Sequence, residues 1–231
     1  GGEVVQTTSF VRCANHVDGY KGTYCRLIEP TSQQGKEKMF LERKNIHTAN
    51  QEEFGKIPGK PVAYWVNPKI CDVYQNSLVK NHMDCKSGIM TGDDSYIRIW
   101  TEIGTEKLKL DCKTSADMGE YRWFPLNSGG EFRYYYGNNN KVVNLWHDGA
   151  DIIAHVKNYR LRDKSYYFRK GITWGRIASS KIAFREVVDG SLFGDAGPVG
   201  FIDRDRRYLL GFLCSKVALY FLEATNPTMN Y

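Results

Sequence analysis

The chain has 231 residues, of which 42% are apolar and 25% charged, and its formal net charge is +6. These values are ordinary for a globular protein and exclude an intrinsically disordered chain. The most apolar stretch, residues 208–224, contains Ser215, Lys216 and Glu223, so it favours a buried helix over a membrane span.

The first sixty residues are predicted to hold four segments: strands over 4–12 and 20–29, a polar loop over 30–38 and a helical turn over 50–53. Pro58 and Gly59 would break that turn, so we place a domain boundary near residue 60. The chain begins without Met inside a predicted strand, and no charged-then-apolar leader precedes it. We therefore expect it to be part of a longer protein.

Beyond residue 60, strands and helices mix without a regular βαβ alternation, which predicts an α+β fold. Asn67 and Pro68 are predicted to cap and start a helix. Asp148 and Asp203 are expected to cap two more helices, the last of them extending beyond residue 217. Strands are predicted over 96–100 and 141–146 and, on both sides of 178–180, within 166–188.

Residue patterns for several kinds of site are missing. The six cysteines form no Cys-x-x-Cys pair, which argues against zinc and fits free thiols in a reducing cytoplasm. No glycine-rich turn follows a predicted strand, so no nucleotide-type cofactor is expected to bind here. Residues 194–200 are glycine-rich but are predicted to be a simple loop. The five histidines are spread out, and no acid–base constellation is visible.

Positive charge is concentrated in residues 121–185, which contain twelve Lys and Arg against four Asp and Glu. The same segment contains fourteen aromatic residues. A basic, aromatic-rich surface suits a polyanion with bases that can stack. The alternative is an aromatic core beneath a solvated cationic face.

Seven segments in order resemble the adenine-N6 DNA methyltransferases of bacterial phage-exclusion (BREX) systems. They are GGEVVQT, YKGTYCRL, ANQEEFGKIPGKPVAYWV, SGIMTGDDSYIRIW, RWFPLNSGGEFRYYYGNNNKVVNLWHDG, YYFRKGITWGRIASSKIAFR and LLGFLCSKVALYFLEATNPTMN. The resemblance covers nearly the whole chain and implies the C-terminal part of such an enzyme. Tyr96, where the family pattern suggests Phe, and Met90 are local departures that bear on base preference.

The resemblance implies a division of labour. Residues 1–60 would be the last strands of an α/β catalytic domain, and residues 61–231 a DNA target-recognition domain of TaqI-like type. The parent enzyme would use S-adenosylmethionine, whereas this fragment would hold no cofactor or metal and would be inactive alone. Expected partners are double-stranded DNA, the upstream catalytic domain and other phage-defence proteins, in the cytoplasm and without a membrane.

Candidate DNA contacts follow from residue type and position. Phosphate contacts are predicted for cations of the basic segment, namely Arg133, Lys141, Arg169, Lys170, Lys181 and Arg185. Contacts through a glycine-rich turn are predicted for Lys86, Thr91 and Asp93. Base-edge contacts are predicted for Arg122, Asn127, Arg176, Ser179 and Ser180. Tyr134, Tyr135 and Tyr136 cannot all face inward, so this stretch, with Tyr135 at its centre, is a predicted recognition loop.

Other functions stay open at this point. The chain could be a non-enzymatic module that binds protein or RNA, or the specificity part of a fused restriction–methylation enzyme. A carbohydrate-binding module is a further alternative, but it would favour aromatic residues on one flat face and paired cysteines.

Overall fold

The computed structural model describes residues 8–177 and 181–226, and the chain divides into two compact units, Gly1–Gln75 and Asn76–Tyr231. The sequence placed a boundary near residue 60, whereas residues 61–75 pack within the first unit, where Ala63 and Val66 are buried. The assignment of residues 1–60 to a catalytic domain stays a prediction.

Unit 1 contains a two-stranded antiparallel sheet and three short helices. Its elements are β1 (Lys21–Cys25), α1 (Gln33–Leu41), β2 (Ile46–Asn50), α2 (Gln51–Phe54) and α3 (Pro68–Val73). The prediction for α3 is confirmed, since the Asn67 side chain accepts a hydrogen bond from the backbone N–H of Lys69 and Pro68 opens the helix. The predicted helical turn at 50–53 corresponds to α2.

Two predictions for unit 1 were wrong. Of the strand predicted at 4–12, residues 8–12 form no strand and residues 4–7 lie outside the described residues. The partner of β1 is β2, which the pattern did not predict. Residues 33–38 belong to α1 because Ser32 accepts a hydrogen bond from the N–H of Gly35 and caps a helix. That helix buries no side chain, so its sequence carries no apolar stripe that would have predicted it.

Unit 2 contains two four-stranded sheets, which bears out the expected mixture of strands and helices. The first has the antiparallel order β3 (Asp84–Lys86), β10 (Val199–Phe201), β7 (Ile172–Trp174) and β8 (Phe184–Glu186). The second has the order β4 (Ile97–Ile99), β6 (Lys141–Asn144), β5 (Trp123–Asn127) and β9 (Leu192–Phe193), in which β5 and β9 are parallel.

Apolar burial holds each sheet of unit 2. Phe124 and Val143, on β5 and β6, are fully buried in a cluster that includes Ile152 of α4 (Ala150–His155). Ile172 and Phe184, on β7 and β8, pack against Leu210. Each such side chain contributes about 1.5–3 kcal/mol on burial, so these clusters fix the strands whose ends carry the candidate site.

The helices of unit 2 depart from the predicted caps. Asp148 has a left-handed backbone (φ 60°) inside a tight turn, and α4 begins after Gly149 instead. The expected last helix is two helices, α5 (Arg206–Leu213) and α6 (Lys216–Thr225), the second capped by Ser215. No single helix in the described ranges is long and apolar enough to cross a membrane, although α5 and α6, bent by 70°, pass that test as a pair.

Candidate nucleic-acid interface

The two sheets of unit 2 meet where the chain leaves β9 and enters β10. Five segments come together there and are called the loop junction: residues 87–92, 127–129, 158–160, 175–177 and 193–198. Backbone hydrogen bonds join them: Ile89 N–H to the Phe193 carbonyl (2.7 Å), and Gly194 N–H to the Asn127 carbonyl (2.8 Å). The ends of both sheets are therefore fixed at one place.

Glycine makes these close approaches possible. A Cβ atom at Gly88 would lie 2.1 Å from the carbonyl oxygen of Phe193, and one at Gly129 would lie 2.6 Å from that of Ala196. One at Gly92, where φ is +72°, would lie 2.2 Å from the Asn158 carbonyl oxygen. Any larger residue would push these backbone segments apart.

A buried polar layer lies beneath the junction. The amide nitrogen of Asn127 donates to the hydroxyl of Thr173 (2.7 Å) and to the carbonyl of Gly197 (3.2 Å), and Thr173 donates to the carbonyl of Pro198 (2.9 Å). Asn127, predicted to contact a base edge, is only 4% exposed and links the two sheets instead. Its burial leaves almost no side-chain surface for DNA in this conformation.

Arg185 is also buried, at 1% exposed, directly opposite Thr173 in the pairing of β7 and β8. It donates to the carbonyl of Ser128 at 3.5 Å, and its Nε has no hydrogen-bond partner among residues 8–177 and 181–226. None of the ion pairs among the described residues includes it, and burial lowers the pKa of its guanidinium. Arg185 was predicted to bind phosphate, and in this conformation its side chain is buried away from the surface.

The predicted SGIMTG turn is partly internal. Thr91 is buried and donates to the backbone carbonyl of Asp93 (2.9 Å). Asp93 is exposed, and its carboxylate accepts from the N–H of Ser95 (2.7 Å), which lowers its pKa. Thr91 therefore shapes the turn, while Asp93 stays accessible.

Three predicted DNA contacts pack over aromatic rings. The Arg122 guanidinium lies 3.9 Å from the ring centre of Trp146. Arg169 lies 4.9 Å from the ring of Phe201, and Lys86 lies 5.3 Å from that of Tyr166. Such contacts leave the charged end accessible while they limit its movement.

The remaining predicted cations are exposed. Arg133, Lys141, Lys170 and Lys181 are all at the surface of unit 2. Arg133 pairs with Glu131 at 3.4 Å and Lys170 with Asp189 at 2.8 Å. Ser179 and Ser180, predicted to contact bases, lie outside the described residues.

Residues 130–140, between β5 and β6, are called the aromatic loop. Tyr135 and Tyr136 are exposed, at 54% and 67%, while Tyr134 is half-buried, which confirms that the three cannot all face inward. Tyr135 has a left-handed backbone (φ 66°) and exchanges backbone hydrogen bonds with the strand at Phe184 and Glu186. The loop is thereby anchored beside β8 with three exposed aromatic rings, the third being that of Phe132.

Sequence reasoning missed two residues at the junction, Arg160 and Asp195. Asp195 accepts a hydrogen bond from Arg160 at one carboxylate oxygen and from the predicted base-contact residue Arg176 at the other. Arg160 is one of twelve cations in the basic segment, and Asp195 lies in the glycine-rich loop at 194–200, which the sequence predicts to be a simple loop. The acidic side chain inside that glycine-rich loop is the sequence feature that could have indicated an arginine-binding position.

The glycine-rich residues 194–200 do not form a cradle for S-adenosylmethionine. They lie against the protein's own atoms, since a Cβ at Gly197 would meet the backbone of Ser128 at 2.7 Å and one at Gly200 would meet the Met83 side chain at 2.3 Å. No group of three His, Cys, Asp or Glu side chains within 8–177 and 181–226 could hold a metal ion.

The chain is similar to two known adenine-specific methyltransferases. No protein-family model matches the chain. Over its whole length it is similar to the adenine-specific methyltransferase PglX of Lacticaseibacillus casei (strain Zhang), with 35% identity over 248 residues. It is also similar over its whole length to the adenine-specific methyltransferase BrxX of Escherichia coli O9:H4 (strain HS), with 28% identity over 235 residues. The chain spans about a fifth of the length of these curated relatives, 21% and 19%. Both similarities confirm the family resemblance that the motifs predicted.

Proposed function

Because the chain is similar to about a fifth of two adenine-specific methyltransferases, we propose that it recognises the DNA target of such an enzyme. The larger protein would methylate adenine N6 in a specific DNA site as part of phage defence. S-Adenosylmethionine would supply the methyl group from a site outside this chain.

The observation that best supports this proposal is a set of surface cations. In each ion pair that they form, the acidic side chain is more exposed than the basic one. The Arg133 side chain is 59% exposed and Glu131 84%, the Lys170 side chain 54% and Asp189 71%. Arg169 is 42% exposed, while its partner Asp203 is 93% exposed. Surface ion pairs of this kind contribute about 0–1 kcal/mol, so a DNA phosphate can replace the carboxylate at little loss.

Recognition and positioning would be divided between these groups. The surface cations would hold the sugar–phosphate backbone and set the orientation of the duplex. Groups of the loop junction and the aromatic loop would meet the bases. Holding the duplex firmly matters because a methyltransferase must rotate its target base out of the stack, which costs a few kcal/mol.

Salt-dependent binding of duplex DNA by the intact gene product tests this proposal. We expect affinity to fall steeply with salt because each phosphate contact releases a counterion. Arg133→Ala and Arg169→Ala should each lower the slope of log affinity against log salt by about 1. Lys36→Ala is the matched control, since Lys36 is an exposed cation of unit 1 and should leave that slope unchanged.

Binding that is independent of salt, or that neither substitution weakens, would contradict a DNA interface on unit 2. Methylation of genomic adenines by the same preparation, detected by sequencing, is the second readout. It should mark one short sequence context in the wild type.

A further inference from the structure

The arrangement of Arg160, Asp195 and Arg176 at the loop junction has a role that surface charge does not explain. The two oxygens of the Asp195 carboxylate are divided between two arginines that lie sixteen positions apart in the chain. Arg160 follows α4, Arg176 follows β7, and Asp195 lies in the turn between β9 and β10. One carboxylate thus fixes two guanidinium groups delivered by different parts of unit 2.

The backbone holds all three residues in place. Arg160 and Met90 exchange two backbone hydrogen bonds (2.8 and 2.9 Å), and the N–H of Asp195 donates to the carbonyl of Ile89 (2.9 Å). The N–H of Arg176 donates to the carbonyl of Ala196, the neighbour of Asp195 (3.1 Å). These contacts fix the backbone position of each of the three residues. Their side chains therefore lose little conformational entropy when the Arg176 guanidinium binds a ligand.

Exposure distinguishes the three side chains. Arg176 is 56% exposed, Arg160 39% and Asp195 only 21%. The Nε of Arg160 is buried and without a hydrogen-bond partner in the described structure. The carboxylate and Arg160 therefore lie deeper, and the guanidinium of Arg176 is the group most available to a ligand.

The Asp195 carboxylate makes Arg176 a weaker ligand for phosphate than an arginine without an acidic partner. Two guanidinium groups and one carboxylate carry a net charge of +1, and the carboxylate repels a nearby phosphate. A guanidinium held in orientation suits two neighbouring acceptors in one plane. In duplex DNA the major-groove edge of guanine offers such a pair in O6 and N7, and Asp or Glu can accept from the amino group of the paired cytosine.

We infer that Arg176 reads the guanine of a G·C base pair, and that Asp195 and Arg160 are positioning residues that hold its guanidinium. This inference rests on the proposed function, because it names the base pair that the DNA-recognition surface would read. It also distinguishes the junction from the surface cations, whose acidic partners are more exposed than the cations themselves.

Selection of bound sequences from a pool of random duplexes, with the intact gene product, tests the inference. The wild type should select a motif that includes at least one G·C pair. Arg176→Lys keeps the charge but loses the planar fork, so preference at one G·C position should fall about tenfold while the salt slope stays the same. Arg133→Lys is the control and should leave every position of the motif unchanged.

Asp195→Asn distinguishes a positioning role from a purely structural one, because it should change cognate preference and non-cognate affinity in opposite directions. The substitution keeps the side-chain shape but removes the negative charge. Preference at the same G·C position should fall, while affinity for non-cognate duplexes should rise several-fold because the local charge becomes +2. A single cooperative thermal transition in both variants shows that the fold is kept, although Asp195→Asn should unfold at a lower temperature because two guanidinium groups lose their shared carboxylate.

Other outcomes overturn the inference. Full retention of the motif by Arg176→Lys, or a uniform loss over all sequences, would assign Arg176 to a phosphate. A wild type that selects a motif without any effect of these variants would reject the inference alone. A wild type that selects no motif would reject the proposed function and the inference together.

Discussion

The loop junction and the aromatic loop carry arginines in two different ways. At the junction, Arg160 and Arg176 share a carboxylate that lies deeper than either, and glycines bring the supporting backbones together. On the aromatic loop, Arg133 faces solvent with Glu131, which is more exposed still. An exposed arginine suits non-specific attraction to a polyanion. A guanidinium held in one orientation by a carboxylate suits discrimination between bases.

The largest effect should come from breaking the close packing of the junction. Gly88→Ala places a Cβ against the carbonyl of Phe193, and the backbones must separate, which should destabilise unit 2 by about 3 kcal/mol or more. Denaturant unfolding followed by tryptophan fluorescence measures it, since four of the five tryptophans lie in unit 2. Gly211→Ala is the control: it lies in α5 with open space around it and should stabilise by about 0.5–1 kcal/mol. Equal stability of the two variants would show that the junction tolerates separation.

Removing the buried charge beneath the junction should have the next largest effect. Arg185→Met keeps the length of an unpaired buried side chain and removes its charge, so the free energy of unfolding should rise by about 1–3 kcal/mol. Arg133→Met, at an exposed position, should change it by less than about 0.5 kcal/mol. DNA affinity should be kept in the first variant and reduced in the second. A loss of stability in Arg185→Met would contradict the view that its charge is uncompensated.

Alkaline pH probes the apolar support of the junction. Burial raises the pKa of Tyr167 to about 12, against an ordinary value of 10. Between these two pH values the unfolded chain loses the phenolic proton and the folded chain keeps it. The free energy of unfolding should therefore fall as pH rises, by up to about 1.4 kcal/mol per pH unit. Tyr167→Phe should lose about 1 kcal/mol less than the wild type between pH 9 and 11. Parallel pH profiles would show that the phenol ionises as easily in the folded chain as in the unfolded one.

The smallest effect concerns the exposed side of the comparison. Lys141→Ala removes an exposed cation at the start of β6, next to the aromatic loop. DNA affinity should fall a few-fold equally for all sequences, with a salt slope lower by about 1. Titration of a cognate and a scrambled duplex at several salt concentrations measures both quantities. A change in the ratio of the two affinities would place Lys141 among the residues that read bases.

The sequence predicted the parts of the fold that local chemistry determines. The Asn67-Pro68 start of α3 and the strand at 141–144 follow from capping and alternation, and both are present. The family resemblance was visible in ordered motifs and is confirmed by two relatives. Helix α1 was missed because it buries nothing, and the cap at Asp148 was wrong because three consecutive left-handed residues, His147 to Gly149, turn the chain first.

The candidate site was harder to predict because its geometry depends on contacts between distant segments. Arg160 meets Asp195 across thirty-five positions, and Gly88 meets Phe193 across an even longer separation. Residue type could not distinguish the buried Arg185 from the exposed Arg133, since both stand beside aromatic residues in the same basic segment. The pairing of β7 with β8 places Arg185 opposite the buried Thr173, and this long-range contact buries Arg185 while Arg133 stays exposed.

The glycine contacts of the junction have a consequence for how such a domain can evolve. Since backbone meets backbone there, the framework that carries positions 160, 176 and 195 does not depend on which side chains those positions hold. If the chain reads DNA as proposed, substitutions at these three positions would change the base pair that is read while the backbone framework stays the same.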